Sequence, residues 1–204
     1  MSLLDLVHER GVLPRRAIRL ATLLAELIPQ QASVLDVGSG DGRIDELLLE
    51  KRPDIKIQGV EVSARAQSSF PVTNFDGQTL PFGAKSFDVV MFVDVLHHTD
   101  DPLVLLREAI RVARKSIVLK DHVLKGLLAG MRLRFMDYVG NARYGVALPF
   151  NYWSDRQWAE VERVLGLSNR MKVRKLDLYP WPADWVFGAG LHFVACYDLP
   201  GDFR

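Results

Sequence analysis

The segment Val34–Gly42 (VLDVGSGDG) constrains the fold of this chain more than any other stretch. An apolar run with one acid passes directly into three glycines at alternate positions, and a helical pattern begins at Arg43. We therefore expect a buried strand that ends in a tight turn at a helix N-terminus, because glycine lets the backbone turn sharply or approach a ligand closely. The free N–H groups of the first helical turn can then face a polar or anionic ligand.

Strands and helices alternate over roughly the first 120 residues. The predicted helices cover 14–28, the stretch from Arg43 to just before Pro53, 64–69 and 101–113. The predicted strands are Ser33–Val37, Lys56–Val62, Val72–Phe75, Phe87–Val93 and Ser116–Leu119. Such alternation is typical of a parallel sheet with helices on both faces, so the fold class is α/β.

The pattern changes after Asp121. Residues 123–137 predict a helix, in which basic and bulky apolar residues are interleaved. Residues 138–153 combine glycine, proline and aromatic residues without clear periodicity. A loop of that length inside a domain is typical of a lid or a binding loop.

The last part of the chain predicts one helix and two strands. Ser154 and Gln157 form a capping-box pattern that opens the helix, and Gly166 ends it. The strands are expected near Lys172–Tyr179 and Leu191–Asp198. The segment between them is poor in helix formers, so an antiparallel pair is expected rather than a parallel crossover.

Composition excludes several classes of partner and location. A net charge of +1 gives no electrostatic reason to expect nucleic acid. No apolar run approaches the roughly 18 residues of a membrane span, and Asp5, Glu9 and Arg10 argue against a signal peptide. The single cysteine, Cys196, cannot form an internal disulfide, which favours a reducing cytoplasm.

The spacing of the glycines separates this turn from a dinucleotide site. Gly38, Gly40 and Gly42 form G-x-G-x-G, and Arg43 stands where G-x-G-x-x-G needs its third glycine. Asp41 in the turn would also repel a pyrophosphate. Glu61 lies at a strand end, where a carboxylate can accept hydrogen bonds from both ribose hydroxyls. These residues predict a nucleoside site whose other end is not a phosphate.

An ordered set of motifs accompanies the glycine turn over about residues 30–122. The set is VLDVGSGDG, Glu61, Phe75-Asp76-Gly77 with Leu80-Pro81-Phe82, Phe87–Val90, Leu96-His97-His98 and Asp101-Pro102. In order and spacing it resembles the class I S-adenosylmethionine-dependent methyltransferases, most closely the methyltransferase type 11 group. The resemblance implies a Rossmann-like three-layer sandwich. It also implies a seven-stranded, mostly parallel sheet that starts in the order 3-2-1-4-5 and has an antiparallel C-terminal strand.

The resemblance further implies S-adenosylmethionine as cofactor and a division of roles. Asp36 and the glycine turn would hold the methionine and ribose part, Glu61 the ribose, and Asp76 with the Gly77 N–H the adenine. Asp94 and Val95 would lie beside the sulfonium. The implied cofactor-binding residues are Asp36, Gly38, Ser39, Gly40, Gly42, Glu61, Val62, Asp76, Gly77, Asp94, Val95 and His97.

We expect one domain over 1–204. Its parts are an N-terminal helical segment (1–32), a cofactor-binding core (33–122), a lid or acceptor-binding insertion (123–170) and a C-terminal strand pair (171–204).

The chemistry implied by the resemblance is in-line methyl transfer to a small or medium-sized acceptor, which includes lipid-like molecules. If the acceptor must lose a proton, the candidate bases are His98, His122 and Asp121. The alternative for each histidine is a structural role in shaping the pocket or capping a helix. The sequence has no clear metal-ligand cluster, so no metal is expected.

Several alternatives stay open at this stage. Residues 123–137 suit a lid helix, and a peripheral membrane contact through them is the alternative. The acceptor atom and the oligomeric state are undetermined. A non-catalytic module that binds S-adenosylmethionine or its demethylated product is the second functional hypothesis. An NAD-dependent oxidoreductase is the third, weakened by the missing third glycine.

Overall fold

The structure, a computed structural model, describes residues 13–62, 70–141, 149–188 and 190–201. Its strands are β1 (Ser33–Val37), β2 (Lys56–Glu61), β3 (Val72–Asn74), β4 (Phe87–Val93), β5 (Ala113–His122), β6 (Ser168–Val173) and β7 (His192–Asp198). They form one sheet in the order β3-β2-β1-β4-β5-β7-β6. The pairs from β3 to β5 are parallel, and β7 is antiparallel to both β5 and β6. The predicted α/β sheet with its antiparallel C-terminal strand is confirmed.

Helices pack on both faces of this sheet. They are α1 (Leu13–Leu27), α2 (Arg43–Lys51), α3 (Pro102–Val112), α4 (Ala129–Asn141) and α5 (Asp155–Leu165). A short 3₁₀ turn covers Leu96–His98, and a π-helical turn covers Asp184–Gly188. In the element sequence, β1 is followed by α2 and β4 by α3, which is the alternation that the sequence predicted.

The two faces of the sheet carry separate hydrophobic cores, because successive side chains of a strand point to opposite sides. Val89 and Met91 of β4 pack with α1 and α2, whereas Val90 and Phe92 pack with α3 and α5. All four side chains are fully buried. Burial of each contributes about 1.5–3 kcal/mol, so this continuous apolar run suits a strand in the centre of a three-layer sandwich.

β5 is longer than predicted and continues to His122. The sequence analysis ended it at Leu119, because the polar residues that follow are normally found outside strands. Pairing with β4 on one side and β7 on the other extends β5 through Lys120, Asp121 and His122, which are buried. This extension brings three ionisable side chains to the carboxyl edge of the parallel strands.

The predicted strand near Lys172–Tyr179 is wrong in position. β6 covers Ser168–Val173 and pairs with β7 from Ser168 opposite Asp198 to Val173 opposite Val194. It is an edge strand with exposed polar residues, which hide the alternation that sequence reading depends on. Leu176, Leu178 and Tyr179 are buried without belonging to a strand.

The helix predicted over 123–137 starts later, at Ala129. Gly126 and Leu128 have positive φ angles of 89° and 60°, which a right-handed helix does not allow, so the helix cannot begin before them. The helix predicted over 64–69 and part of the predicted loop, 142–148, lie outside the described residues.

The capping box at the start of α5 is confirmed. The Ser154 Oγ accepts from the Gln157 N–H, and the Gln157 side chain accepts from the Ser154 N–H at 2.9 Å. We expect Ser154→Ala to lower the free energy of unfolding by about 1 kcal/mol, because the Gln157 N–H of the first turn loses its side-chain acceptor. Urea denaturation measures this change. Ser154→Asp keeps a capping acceptor and is the control; equal losses in both variants would contradict the role of the cap.

Candidate active site

The turn between β1 and α2 is closed on the sides where a side chain would project. Gly38 and Gly42 have φ angles of 75° and 74°, which favour glycine. A Cβ on Gly38 would lie 2.6 Å from a methyl group of Val95, and one on Gly42 would lie 2.3 Å from the ring of Phe70. The backbone of the turn can therefore approach a ligand only because both positions are glycine.

Glu61, at the end of β2, is tied to this turn. One carboxylate oxygen accepts from the Gly40 N–H at 2.9 Å, and the other accepts from the Val62 N–H at 2.9 Å. Each oxygen keeps a second lone pair for a further donor. The carboxylate is thus fixed beside the glycines, and its role as a ribose ligand stays a prediction.

Asp76 and Gly77 form the next turn along the same edge. Asp76 Oδ1 accepts from the Gln78 and Thr79 N–H groups at 2.8 and 2.6 Å, and these bonds lower its pKa. A Cβ on Gly77, whose φ is 81°, would contact the side chain of Val62 at 3.3 Å. Val62 is exposed, so it presents an apolar surface between the Glu61 carboxylate and this turn.

A pair of buried carboxyl groups lies beneath the glycine turn. Asp36 of β1 and Asp45 of α2 are 4% and 1% exposed, and three of their four oxygens have no hydrogen-bond partner within the described part of the chain. Burial, followed by the charge of Asp45, raises the pKa of Asp36 well above its ordinary value. Burial likewise raises the pKa of Asp45 to about 7. The sequence analysis identified Asp36 and missed Asp45, which looked like an ordinary acid in the first turn of a helix.

Asp94 follows β4 in a left-handed conformation, with a φ of 59°. A non-glycine residue there costs about 1–3 kcal/mol and needs support from its surroundings. Its carboxylate is paired with Arg16 of α1 and with Lys120 of β5, which is fully buried. Burial opposes the charged form, but Lys120 and Arg16 hold the pKa of Asp94 well below its ordinary value. Neither cation was predicted.

His97, Asp121 and His122 meet beside Asp94. The His97 Nδ1 lies 2.6 Å from Asp121 Oδ1 and 3.3 Å from the His122 Nδ1. Asp137 of α4 approaches from the other side, with its Oδ1 3.6 Å from the His97 Nε2. Asp121 is held in place by N–H groups of Leu96 at 3.2 Å and His122 at 2.7 Å.

The histidines of this cluster differ in charge. Burial lowers the pKa of His97, but Asp121 and Asp137 outweigh it and raise that pKa to about 10. Burial, and then the charge of Lys120, lowers the pKa of His122 to about 4. Burial and the charge of His97 lower the pKa of His98, which remains partly exposed. At neutral pH His97 is therefore an imidazolium, whereas His98 and His122 are neutral.

The cluster is balanced in formal charge. Its three carboxylates are those of Asp94, Asp121 and Asp137, and its three cations are Arg16, Lys120 and His97. Ligand atoms of Asp94, His97, Asp121 and His122 nevertheless lie within 4.8 Å of one another, a grouping that the sequence did not reveal. The charges of these side chains balance one another without a metal ion. The absence of a metal therefore stays our prediction.

The segment that begins at residue 149 packs on the 3₁₀ turn. The Asn151 N–H donates to the His97 carbonyl at 3.1 Å, and its side-chain amide donates to the carbonyls of Thr99 and Asp100, each at 2.9 Å. Tyr152 stacks on His97 with ring centroids 5.5 Å apart and donates to Asp137. This segment thus packs against the histidine cluster through Asn151 and Tyr152.

Comparison with known proteins decides the family. The profile of the methyltransferase domain family matches residues 8–169. The chain belongs to this family. The resemblance to class I S-adenosylmethionine-dependent methyltransferases is confirmed, and with it the expectations of a methyltransferase and of S-adenosylmethionine as cofactor, at the level of the family.

Curated relatives of this chain agree with the family assignment. This chain is 32% identical over 127 residues to an uncharacterized methyltransferase of Mycobacterium sp. (strain JLS). The match covers 58% of this chain and 50% of that protein. This chain is also 28% identical over 140 residues to the 27-O-demethylrifamycin SV methyltransferase of Amycolatopsis mediterranei. That match covers 60% of this chain and 51% of the relative. The chain therefore spans about half the length of the curated relatives it matches.

A solved structure matches almost the entire fold. A chain from the complex between the Haloferax volcanii Trm112 methyltransferase activator and a methyltransferase superposes with a TM-score of 0.71. The match covers 98% of this chain and 99% of that one at 16% sequence identity, which is evidence of shared fold. Among the described residues, no helix combines the length and apolarity that crossing a bilayer requires.

The residues present fit S-adenosylmethionine in one further respect. This cofactor carries an ammonium group, and the unpartnered oxygens of Asp36 and Asp45 offer buried hydrogen-bond acceptors next to the glycine turn. The Ser39 hydroxyl is also buried without a partner. A buried polar group without a partner is costly, so a ligand that supplies donors at this place would relieve that cost.

The Asp36–Asp45 pair predicts a dependence of stability on pH. The folded pKa of Asp45 lies above its unfolded value of about 3.9, so its contribution is present below about pH 4 and is lost as pH rises through 7. We expect Asp45→Asn to be more stable than the wild type near pH 8, by on the order of 2 kcal/mol, with little difference near pH 4. Denaturation of the cofactor-free protein across this range measures it. A variant that is destabilised equally at every pH would contradict the assigned pKa.

Proposed function

We propose that this protein transfers the methyl group of S-adenosylmethionine to a small or medium-sized acceptor at the edge formed by the ends of β1, β2, β4 and β5. The observation that supports it most is the joined arrangement of the glycine turn, the Glu61 carboxylate and the buried Asp36–Asp45 pair. These groups match the nucleoside end and the ammonium end of one ligand. The family assignment supplies the reaction class.

The residues that would hold the cofactor lie at the carboxyl ends of β1 and β2 and in the turn after β3. Glu61 would accept from the ribose hydroxyls, Asp76 and the Gly77 N–H would bind the adenine, and Asp36 would lie at the ammonium group. When bound, S-adenosylmethionine supplies a methyl group that is already activated for displacement. The protein therefore has to align the acceptor and exclude water.

Asp94, Val95 and His97 take different parts in this proposal. Val95 packs on Gly38 and would shape the cofactor side of the site. The Asp94 carboxylate is engaged by Arg16 and Lys120, so its role is to fix those cations and the backbone at the end of β4. The His97 ring faces Asp121 and Asp137 and would support the cofactor site through the backbone of the 3₁₀ turn.

Among the three candidate bases, His98 is the best placed. Asp121 accepts from His97 and from two backbone N–H groups, which makes it an orienting residue. His122 is 4% exposed, and its lowered pKa makes it a weak base. His98 is partly exposed, and its neutral form predominates at neutral pH because its pKa is lowered. We therefore propose His98 as the group that accepts a proton from the acceptor.

The proposal extends to the acceptor and to the location of the protein. The relative named 27-O-demethylrifamycin SV methyltransferase supports a small-molecule acceptor, and a lipid-like acceptor belongs to the same proposal. Nucleic acid is not proposed, since the net charge is +1. Cys196 is a buried free thiol, which supports a cytoplasmic location.

Binding of the demethylated product, S-adenosylhomocysteine, tests the cofactor site by isothermal titration. We expect Glu61→Gln to weaken this binding about tenfold or more, because an amide replaces one acceptor oxygen by a donor. Glu50→Gln changes an exposed acid on α2 in the same way and is the matched control. Equal affinity of Glu61→Gln and the wild type would contradict the ribose assignment, and no binding to folded wild type would contradict the proposed function.

Release of S-adenosylhomocysteine across a panel of phenols, amines and thiols tests turnover and the base. We expect His98→Gln to lower the rate roughly 100-fold while product affinity stays within about twofold, since loss of a general base acts on the chemical step. The wild-type rate should fall on the acid side below pH 6.5, where His98 becomes protonated. A rate that is unchanged in His98→Gln would assign the base elsewhere, and a protein that binds product but never turns over would support the non-catalytic alternative.

A further inference from the structure

One surface of the protein carries large apolar side chains that nothing in the described residues covers. They come from the start of α4 with the turn before it, and from the segment around the π-helical turn. We define this apolar face by Leu127, Leu128, Met131, Phe135, Trp181 and Trp185. Leu127, Trp181 and Trp185 are 89%, 87% and 78% exposed.

The two segments form one continuous surface. The Phe135 ring stacks on Phe187 of the π-helical turn with centroids 6.0 Å apart. The Arg132 guanidinium donates to the carbonyls of Trp185 at 2.8 Å and Val186 at 2.7 Å. The hydrogen bonds and the ring contact hold the backbone around Trp185 against α4, so the two segments that carry these exposed side chains lie side by side.

The pattern of α4 explains why this face needs a partner. Ala129 and Leu133 are buried against the protein, while Met131 and Phe135 lie on the exposed side. A surface helix normally presents polar residues to water on that side. Single exposed apolar residues are ordinary, but a contiguous group of this size marks a surface that binds something apolar.

The chemistry of the face points to a lipid bilayer. Tryptophan is enriched at the level of lipid head groups, where its ring is partly apolar and its N–H stays hydrated. Lys125 and Arg134 are exposed beside the aliphatic residues. Residues 123–136 and 178–188 together contain three basic residues and one acid. Apolar side chains with a basic flank are typical of surfaces that lie in the membrane interface.

We propose that the apolar face docks this protein on the surface of a phospholipid bilayer, with Leu127, Leu128 and Met131 inserted among the acyl chains. Trp181 and Trp185 lie at head-group level, and Lys125 and Arg134 contact lipid phosphates. Apolar burial contributes most of the affinity, because the basic flank carries only a small excess charge.

Docking at this face has a consequence for the acceptor, and that consequence rests on the proposed function. Asp137, on the buried side of α4, lies 3.6 Å from His97. The carbonyl of Phe187 lies 2.7 Å from the His192 Nε2, and the His192 Nδ1 lies 3.2 Å from the Lys120 Nζ. The candidate active site therefore lies directly behind the docked surface, where an acceptor dissolved in the bilayer would arrive.

Cosedimentation of the complete chain with vesicles tests the docking without any need for turnover. The probes are vesicles of phosphatidylcholine alone and of phosphatidylcholine mixed with phosphatidylglycerol. We expect binding to both, stronger to the mixture, and a loss of about tenfold or more in the double variant Leu127→Ser/Trp185→Ser. The double variant Val164→Ser/Met171→Ser removes two exposed apolar side chains, 51% and 48% exposed, from other surfaces and should bind as the wild type does.

Further measurements separate the other outcomes. Quenching of Trp181 and Trp185 by brominated lipid, lost in Trp181→Phe/Trp185→Phe, locates the tryptophans in the interface. Absence of vesicle binding by the wild type, or equal binding by both double variants, would overturn the proposal. A dimer in light scattering that Leu127→Ser/Trp185→Ser dissolves would instead assign the face to a second copy of the chain. S-adenosylhomocysteine affinity, measured in each variant, reports on the proposed function independently.

Discussion

The parallel pairing of β1 with β4 is the constraint on which the site depends. The chain leaves β1 into α2 on one face of the sheet and leaves β4 toward α3 on the other face. The two connections diverge from neighbouring strand ends, and a crevice opens between them, as it does at the switch point of any doubly wound sheet. The glycine turn and Asp94 lie on its two sides because each directly follows one of these strands.

Buried charge then determines how the crevice is closed. Asp94, Lys120 and Arg16 come from β4, β5 and α1, and their attraction ties the N-terminal helix to the carboxyl edge of the sheet. Removing ionic groups from water is expensive, and the loss of one partner leaves an uncompensated charge that costs about 3–5 kcal/mol. Such a cluster is a poor source of net stability but a strong determinant of geometry. Its hydrogen-bonded continuation through His97 and Asp121 positions the 3₁₀ turn on which His98 lies.

The sequence could predict those parts of the site that follow a strand directly. Gly38, Glu61 and Asp94 each come immediately after an apolar run, so their place at the sheet edge followed from the alternation of elements. Arg16 and Asp137 could not be predicted in this way, because they lie on helices whose packing brings them in from distant parts of the chain. β6 was misplaced for a related reason: an edge strand is selected by its pairing with β7, and its own residues carry little periodic signal.

α4 connects the candidate active site with the apolar face. Asp137 on its buried side faces His97, and Phe135 on its exposed side belongs to the apolar face. Any contact that orders this helix against a bilayer also restrains Asp137, whose charge is among the causes that keep His97 protonated. A helix moves as a unit, so a displacement of its exposed side also displaces its buried side. Docking at the apolar face and the electrostatics of the site therefore both depend on the position of α4. The exposed face is therefore better understood as part of the site's construction than as an unrelated surface.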